Sequence, residues 1–138
     1  MNPTTLRPSS AEADTWPELP DIDTAAARQC CGDSLELFKR LLGLLQKNYG
    51  GWSEQWLLAT STGHASDKAA LCASLHKLRG SAGLMGAYRL ALVAGQVEQS
   101  LKEDQEQPQA AVQRVGDVLH SLLVQIGAWQ ASVQASGG

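Results

Sequence analysis

The 138-residue sequence lacks several features that would assign it to common functional classes. No apolar run reaches the roughly 18 residues that a membrane-spanning helix needs, and no signal-peptide pattern follows Met1. The net charge is −3, whereas a nucleic-acid-binding domain needs a basic surface. We therefore expect a cytoplasmic domain that makes no membrane contact itself and binds no nucleic acid.

Aromatic, β-branched and cysteine residues are also scarce. Aromatic residues make up 5% of the chain while Ala and Leu abound, and β-branched residues are too few for a large sheet. This composition favours an all-α fold. The three cysteines are an odd number, and the adjacent Cys30 and Cys31 are poorly placed for a structural disulfide. We expect reduced thiols.

Proline is confined almost entirely to the first part of the chain. Four of the five prolines lie within residues 1–20, which are therefore predicted to be a flexible linker or lead-in, such as a domain tethered to a larger protein would carry. Residues 21–135 are predicted to form one helical bundle, and residues 136–138 a loose tail.

Hydrophobic residues recur at intervals of three and four along the remaining chain, as on one face of a helix. A short helix is predicted over residues 23–31. Asp33 is then expected to cap a longer helix, with Glu36 completing a capping-box pair, and Gly50-Gly51 permits a break in it. Three further amphipathic segments follow. Long helices joined by short loops predict an up-down four-helix bundle with a short additional N-terminal helix.

The segment around His76 is the most informative. His76 follows the expected core residue Leu75, so it lies about 100° around the helix from it, on an accessible flank. Arg79, Gly80 and Gly83 share its face. Each glycine costs a helix roughly 1 kcal/mol relative to alanine, which is tolerated where something must approach the backbone. The expected core seam of this helix consists of Leu71, Leu75, Leu78, Ala82 and Met85.

The same segment is basic in an otherwise acidic chain, with cations and no acid from Lys68 to Arg89. A neutral imidazole has one free lone pair, so His76 can accept a phosphoryl group while its other ring nitrogen is oriented by a hydrogen bond. Glu98 is the candidate partner for that bond. It directly follows the apolar residue Val97, as His76 directly follows Leu75, so both side chains are expected beside the same groove between their helices. A lone helical histidine is usually an ordinary surface residue, and helical glycines can instead mark close helix packing; the combination favours a functional site.

The run His76-Lys77-Leu78-Arg79-Gly80-Ser81-Ala82-Gly83 resembles the phosphorylation-site motif of histidine-containing phosphotransfer (HPt) domains. These domains act in bacterial multistep phosphorelays, often at the C-terminal end of hybrid sensor kinases. The resemblance covers about residues 20–135 and implies a four-helix bundle with an exposed histidine. It implies that His76 accepts a phosphoryl group from a receiver-domain aspartate and passes it to another.

The resemblance also implies roles for the neighbours of His76. Arg79 and Lys77 would stabilise the phosphoryl group. Two positions depart from the family pattern, since the place of Arg79 is usually Lys and the place of Glu98 is often Gln. A glutamate would accept a hydrogen bond from the imidazole N–H but would repel a nearby phosphoryl group. The small residues that would give a receiver access and a docking surface are Gly80, Ser81 and Gly83.

The implied partners are response-regulator receiver domains, with Mg²⁺ on the receiver and no cofactor or ATP site in this domain. The domain would be a monomeric phosphocarrier and not an enzyme by itself. The alternative is a helical adaptor that docks a receiver or kinase through the same face without phosphorylation. His64 and His120 show no metal-ligand spacing with the cysteines and are expected to be incidental.

Overall fold

The structure of the protein is a computed structural model that describes residues 16–61 and 65–137, without the side chains of residues 65, 66 and 135–137. This part of the chain is helical and contains no strand, so the all-α prediction is confirmed for the residues described. None of its helices is both long enough and apolar enough to cross a membrane. The helices are α1 (Thr24–Cys30), α2 (Leu35–Tyr49), α3 (Trp52–Thr60), α4 (Ala65–Leu84), α5 (Tyr88–Lys102) and α6 (Pro108–Gly137).

The start of α2 lies one residue later than the sequence predicts. Ser34 is the N-cap, with extended backbone angles, and its hydroxyl accepts a hydrogen bond from the Leu37 amide at 3.1 Å. The prediction that Asp33 caps this helix is wrong, because the chain turns through a left-handed residue there, with φ at +61°. Asp33 instead pairs with Arg28 Nε at 3.1 Å. The predicted break at Gly50-Gly51 separates α2 from α3.

Helix α4 lies against both α3 and α5, and α6 packs on α3 and α5. The periodic hydrophobic residues of α4 fill the space between these helices, because their side chains recur on one face of it. The predicted seam is confirmed, since each of its residues is at most 3% exposed: Leu71, Leu75, Leu78, Ala82 and Met85. Burial of this seam fixes the opposite face of α4 towards the outside.

Residues 16–23 pack on the bundle. Trp16 is buried and lies 5.0 Å from the Phe38 ring. Asp21 is buried, accepts from Gln125 Nε2 at 3.1 Å, and pairs with Arg89 at 3.4 Å. The domain limits at residues 20/21 and 135/136 stay predictions. Residues 1–15 of the expected lead-in, residues 62–64 and residue 138 lie outside the described residues.

A hydrogen bond joins α3 to the helix that carries His76. The buried indole of Trp52 donates from Nε1 to Ser74 Oγ at 2.9 Å. We expect Ser74→Ala to destabilise the fold by about 1–3 kcal/mol, because the indole N–H then has no partner in a buried position. Differential scanning calorimetry should show a midpoint lower by several degrees. Ser132→Ala, at an exposed site on α6, is the control, and equal midpoints for the two variants would contradict the prediction.

Candidate functional site

His76 projects from the exposed face of α4, with 66% of its side chain accessible to solvent. Its direction is set by the neighbouring core residues Leu75 and Leu78, which are fully buried on the other side of the helix. The Nδ1 atom faces α5 and lies 3.5 Å from Glu98 Oε2. The other ring nitrogen, Nε2, has no hydrogen-bonding partner among residues 16–61 and 65–137. The imidazole is therefore held on one side and open on the other.

Glu98 is a buried carboxylate beside this histidine, with only 7% of its side chain exposed. Its Oε2 atom lies 3.0 Å from Lys102 Nζ, and its Oε1 atom lies 4.0 Å from Arg79 Nη2. The structure thus brings together Glu98 and His76, as the corresponding positions on the two helices suggested. Two cations compensate the charge of a carboxylate that burial would otherwise make costly.

Arg79 reaches from α4 across to α5. Its Nη2 atom lies 3.0 Å from His76 Nδ1. The stem of Arg79 passes over Gly95, where an added Cβ would lie 3.2 Å from Arg79 Cδ. Gly95 therefore leaves room for the guanidinium side chain of Arg79. Gly95 is not predictable from the sequence, since its role depends on the path of the Arg79 side chain.

Gly80 and Gly83 lie on the exposed surface of α4 near His76. A Cβ built at either position meets no atom within 4 Å, so neither glycine is required for packing within the described part of the chain. Ser81 lies elsewhere, half-buried in the cleft between α2 and α4. Lys77 is exposed. The two glycines leave bare backbone beside the imidazole, which a partner can approach.

Lys102 is a further charged residue of the site, and the sequence contains a signal for it. It follows Glu98 by four residues, and a glutamate four residues before a lysine is a favourable pair on one helix face. The structure confirms the contact as an ion pair within α5. The sequence could have linked these two residues, but only the structure shows that the pair faces His76.

Within the described part of the chain, the cysteines and His120 form no metal site. All three cysteines are free thiols. Burial raises the pKa of Cys31 and of Cys72, so both are protonated and weakly nucleophilic at neutral pH. The described residues contain no group of three His, Cys, Asp or Glu side chains that could hold a metal ion. His120 is exposed on α6, and His64 lies outside the described residues.

Comparison with protein families identifies the family of this chain. The Hpt domain family model matches residues 27–129, which is about three quarters of the chain and spans His76, Glu98 and Lys102. Comparisons with curated proteins and with solved structures give no match.

Proposed function

Because this chain belongs to the Hpt domain family, we propose that His76 is the residue that carries the phosphoryl group. Hpt domains transfer phosphoryl groups through histidine in phosphorelay signalling, interact with response-regulator receiver domains, and have no ATP site of their own. The observation that carries the assignment is the exposed imidazole of His76, whose Nδ1 faces a buried carboxylate while Nε2 is open.

The proposed transfer is a displacement at phosphorus. The Nε2 lone pair of His76 attacks the acyl phosphate of a receiver aspartate, so an N–P bond forms as the O–P bond breaks. The aspartate carboxylate leaves with the electron pair. Attack by Nε2 requires the neutral ring to carry its proton on Nδ1, so Arg79 must turn away from Nδ1 for the transfer. The reverse reaction delivers the phosphoryl group to a second receiver, whose Mg²⁺ we expect to supply much of the charge stabilisation.

Arg79 and Lys77 are proposed to stabilise the bound phosphoryl group. The Arg79 side chain is 46% exposed and already lies beside the imidazole, so its guanidinium can turn towards phosphoryl oxygens. Lys77 is exposed on the adjacent surface and adds positive potential. The Glu98 carboxylate is 3.5 Å from Nδ1, on the side of the ring away from the proposed attack.

Exposed apolar side chains near the end of α4 support docking of a protein partner. Leu84, Tyr88 and Leu92 are each more than half exposed, in the last turn of α4 and the first turns of α5. Such a surface, next to bare glycine backbone, fits a transient protein interface. The proposed partner is a receiver domain that contacts these residues together with Gly80 and Gly83.

The arrangement of the domain is a further part of the proposal. We propose that α2 with α3, followed by α4, α5 and α6, form an up-down four-helix bundle preceded by α1, and that the domain acts as a monomer. Helix α6 contacts α3 and α5, and helix α4 also contacts α3 and α5, which supports this arrangement. A hybrid sensor kinase is the proposed parent protein.

The proposed function is tested by phosphoryl transfer to the wild-type chain. Receiver domains of the same organism are loaded with labelled acetyl phosphate, separated from the reagent and mixed with the protein. We expect label on the chain that is lost in acid and retained in alkali, as for a phosphohistidine. Absence of label from every receiver would overturn the proposal, and receiver binding without labelling would favour the adaptor.

A glutamine at position 80 is expected to separate docking from chemistry. Gly80→Gln should slow labelling from a phosphorylated receiver by roughly 100-fold, because the side chain displaces the receiver from the imidazole. Labelling by phosphoramidate, a small donor that needs no docking surface, should change less than about twofold. The thermal midpoint should rise by a few degrees, since glutamine favours a helix over glycine by about 0.5–1 kcal/mol and the site is open.

Gly127→Gln is the matched control for this variant, because an added Cβ at Gly127 on α6 also meets nothing within 4 Å. It should raise the midpoint similarly and leave both labelling reactions unchanged. Equal losses with the receiver and with phosphoramidate in Gly80→Gln would show that Gly80 affects the imidazole itself. Unchanged labelling from the receiver would show that docking does not involve this surface.

A further inference from the structure

Gly95 lies on α5 opposite the side chain of Arg79. Apart from its own helix, Arg79 is the one described residue that an added Cβ at Gly95 would meet within 4 Å, with Cδ at 3.2 Å and Nη1 at 3.6 Å. No backbone atom of α4 lies that close, so this glycine is not required for close packing of the two helices. The bare backbone at this position therefore accommodates the Arg79 side chain specifically.

Two pairs of residues face each other between α4 and α5, and the members of each pair are three positions apart. On α4 the pair is His76 and Arg79, and on α5 it is Gly95 and Glu98. Residues three apart share one face of a helix. The Nη2 atom of Arg79 lies 3.0 Å from His76 Nδ1 and 4.0 Å from Glu98 Oε1. The guanidinium therefore lies beside the imidazole when its stem lies over Gly95.

The closest approach to Gly95 is made by the stem of Arg79, at Cδ, and the charged group begins at the next atom. Rotation about the Cδ–Nε bond turns the guanidinium without moving Cδ. The two imidazole nitrogens belong to one small ring, so a guanidinium that turns about a fixed Cδ can leave Nδ1 and reach phosphoryl oxygens on Nε2. Displacement of the stem from Gly95 would remove this fixed point from a side chain that is already 46% exposed.

We propose that Gly95 is a positioning residue, which seats the stem of Arg79 against α5 and thereby keeps its guanidinium beside His76 for the phosphoryl group. This inference rests on the proposed function of His76. The phosphoryl group is an anion, and an arginine that is already held in place loses less side-chain entropy when it binds that anion. Loss of the space at Gly95 should therefore shift the equilibrium away from phosphorylated His76.

The test is Gly95→Val in the full chain, because the valine methyl groups would fill the space that the Arg79 stem occupies. Wild type and variant are equilibrated with phosphoramidate and ammonia at one fixed ratio. Ammonia leaves as the N–P bond to His76 forms, and the reverse reaction sets the equilibrium. Intact-protein mass spectrometry then gives the ratio of phosphorylated to unphosphorylated chain. We expect this ratio to fall roughly two- to fivefold in Gly95→Val, as for the loss of one exposed charge pair.

Two further variants separate this role from a structural one. In an Arg79→Ala background, Gly95→Val should cause no further fall in the ratio, because Gly95 acts on the phosphoryl group through Arg79 alone. Gly127→Val is the matched control, since Gly127 is also a half-buried helical glycine and an added Cβ there meets nothing within 4 Å. It should leave the ratio at the wild-type value.

A ratio that is unchanged or raised in Gly95→Val would overturn the role of Gly95, and so would an equal fall in the Arg79→Ala background. A crystal structure of Gly95→Val adds a measurement that needs no phosphoryl donor. We expect Arg79 Nη2 to lie beyond about 3.5 Å from His76 Nδ1 in it, and a retained hydrogen bond would contradict the proposal. Failure of the wild-type chain to take label would remove the proposed function, while this distance would still report on the contact of Gly95 with Arg79.

Discussion

Replacing His76 by glutamine is expected to abolish labelling by phosphorylated receivers and to shift the thermal midpoint by less than about 2 °C. An amide side chain has no nitrogen that can hold a phosphoryl group, so the loss should be complete. The fold should be unaffected, because the imidazole is 66% exposed and its described neighbours are polar. Exposed substitutions of this kind change the free energy of unfolding by about 0.5 kcal/mol or less.

The matched control is His120→Gln, which removes an exposed histidine from α6 and should leave labelling at the wild-type level. Autoradiography after receiver transfer and a thermal scan of each variant are sufficient measurements. Equal labelling of His76→Gln and wild type would show that another residue accepts the phosphoryl group. A drop of many degrees in the midpoint would show that His76 stabilises the fold, which its exposure argues against.

Substitutions in α4 can change phosphoryl labelling without changing the thermal midpoint, because the two faces of this helix have different partners. Leu75 and Leu78 are fully buried against neighbouring helices, whereas His76 and Gly80 lie on the solvent side. A substitution on the outer face therefore removes little apolar contact. This arrangement explains why Gly80→Gln is expected to raise stability while it lowers receiver-dependent transfer.

The helices and the core seam were predictable because hydrophobic periodicity depends on local geometry. The contact of Glu98 with His76 was also predictable, since each follows a core residue on adjacent helices. The cap of α2 was misplaced by one residue because Asp33 and Ser34 both suit that position. Only the backbone angles distinguish them, with Asp33 left-handed and Ser34 extended. The domain limits and the role of His76 stay predictions.

Three glycines that look equivalent in the sequence have different roles in the structure. Gly80 and Gly83 lie in the helix, with open space where a Cβ would be. Gly86 lies in the turn between α4 and α5, with φ at +71°, and its carbonyl accepts a hydrogen bond from the Asp23 amide at 2.7 Å. The sequence could not separate them, because the contact with Asp23 joins residues that are far apart along the chain.

Gly86→Ala is accordingly expected to cause a large loss of stability. A residue with a Cβ costs about 1–2 kcal/mol in the left-handed conformation. The added Cβ would also lie 2.5 Å from the Asp23 carbonyl oxygen and 3.1 Å from Ala27 Cβ, and such overpacking costs about 1–3 kcal/mol. The combined cost of roughly 2–5 kcal/mol should lower the thermal midpoint by roughly 8–20 °C.

Two other glycines separate the backbone cost from the steric clash at Gly86. Gly32 also has a positive φ, at +58°, but an added Cβ there meets nothing within 4 Å, so Gly32→Ala should show the backbone cost alone. Gly80→Ala has neither cost and should raise the midpoint through helix propensity. The thermal midpoint should therefore be highest for Gly80→Ala and should decrease through wild type and Gly32→Ala to Gly86→Ala. Equal midpoints for the last two variants would show that α1 moves away from the turn at little cost, and that the contact of Asp23 with Gly86 does not hold the end of the His76 helix.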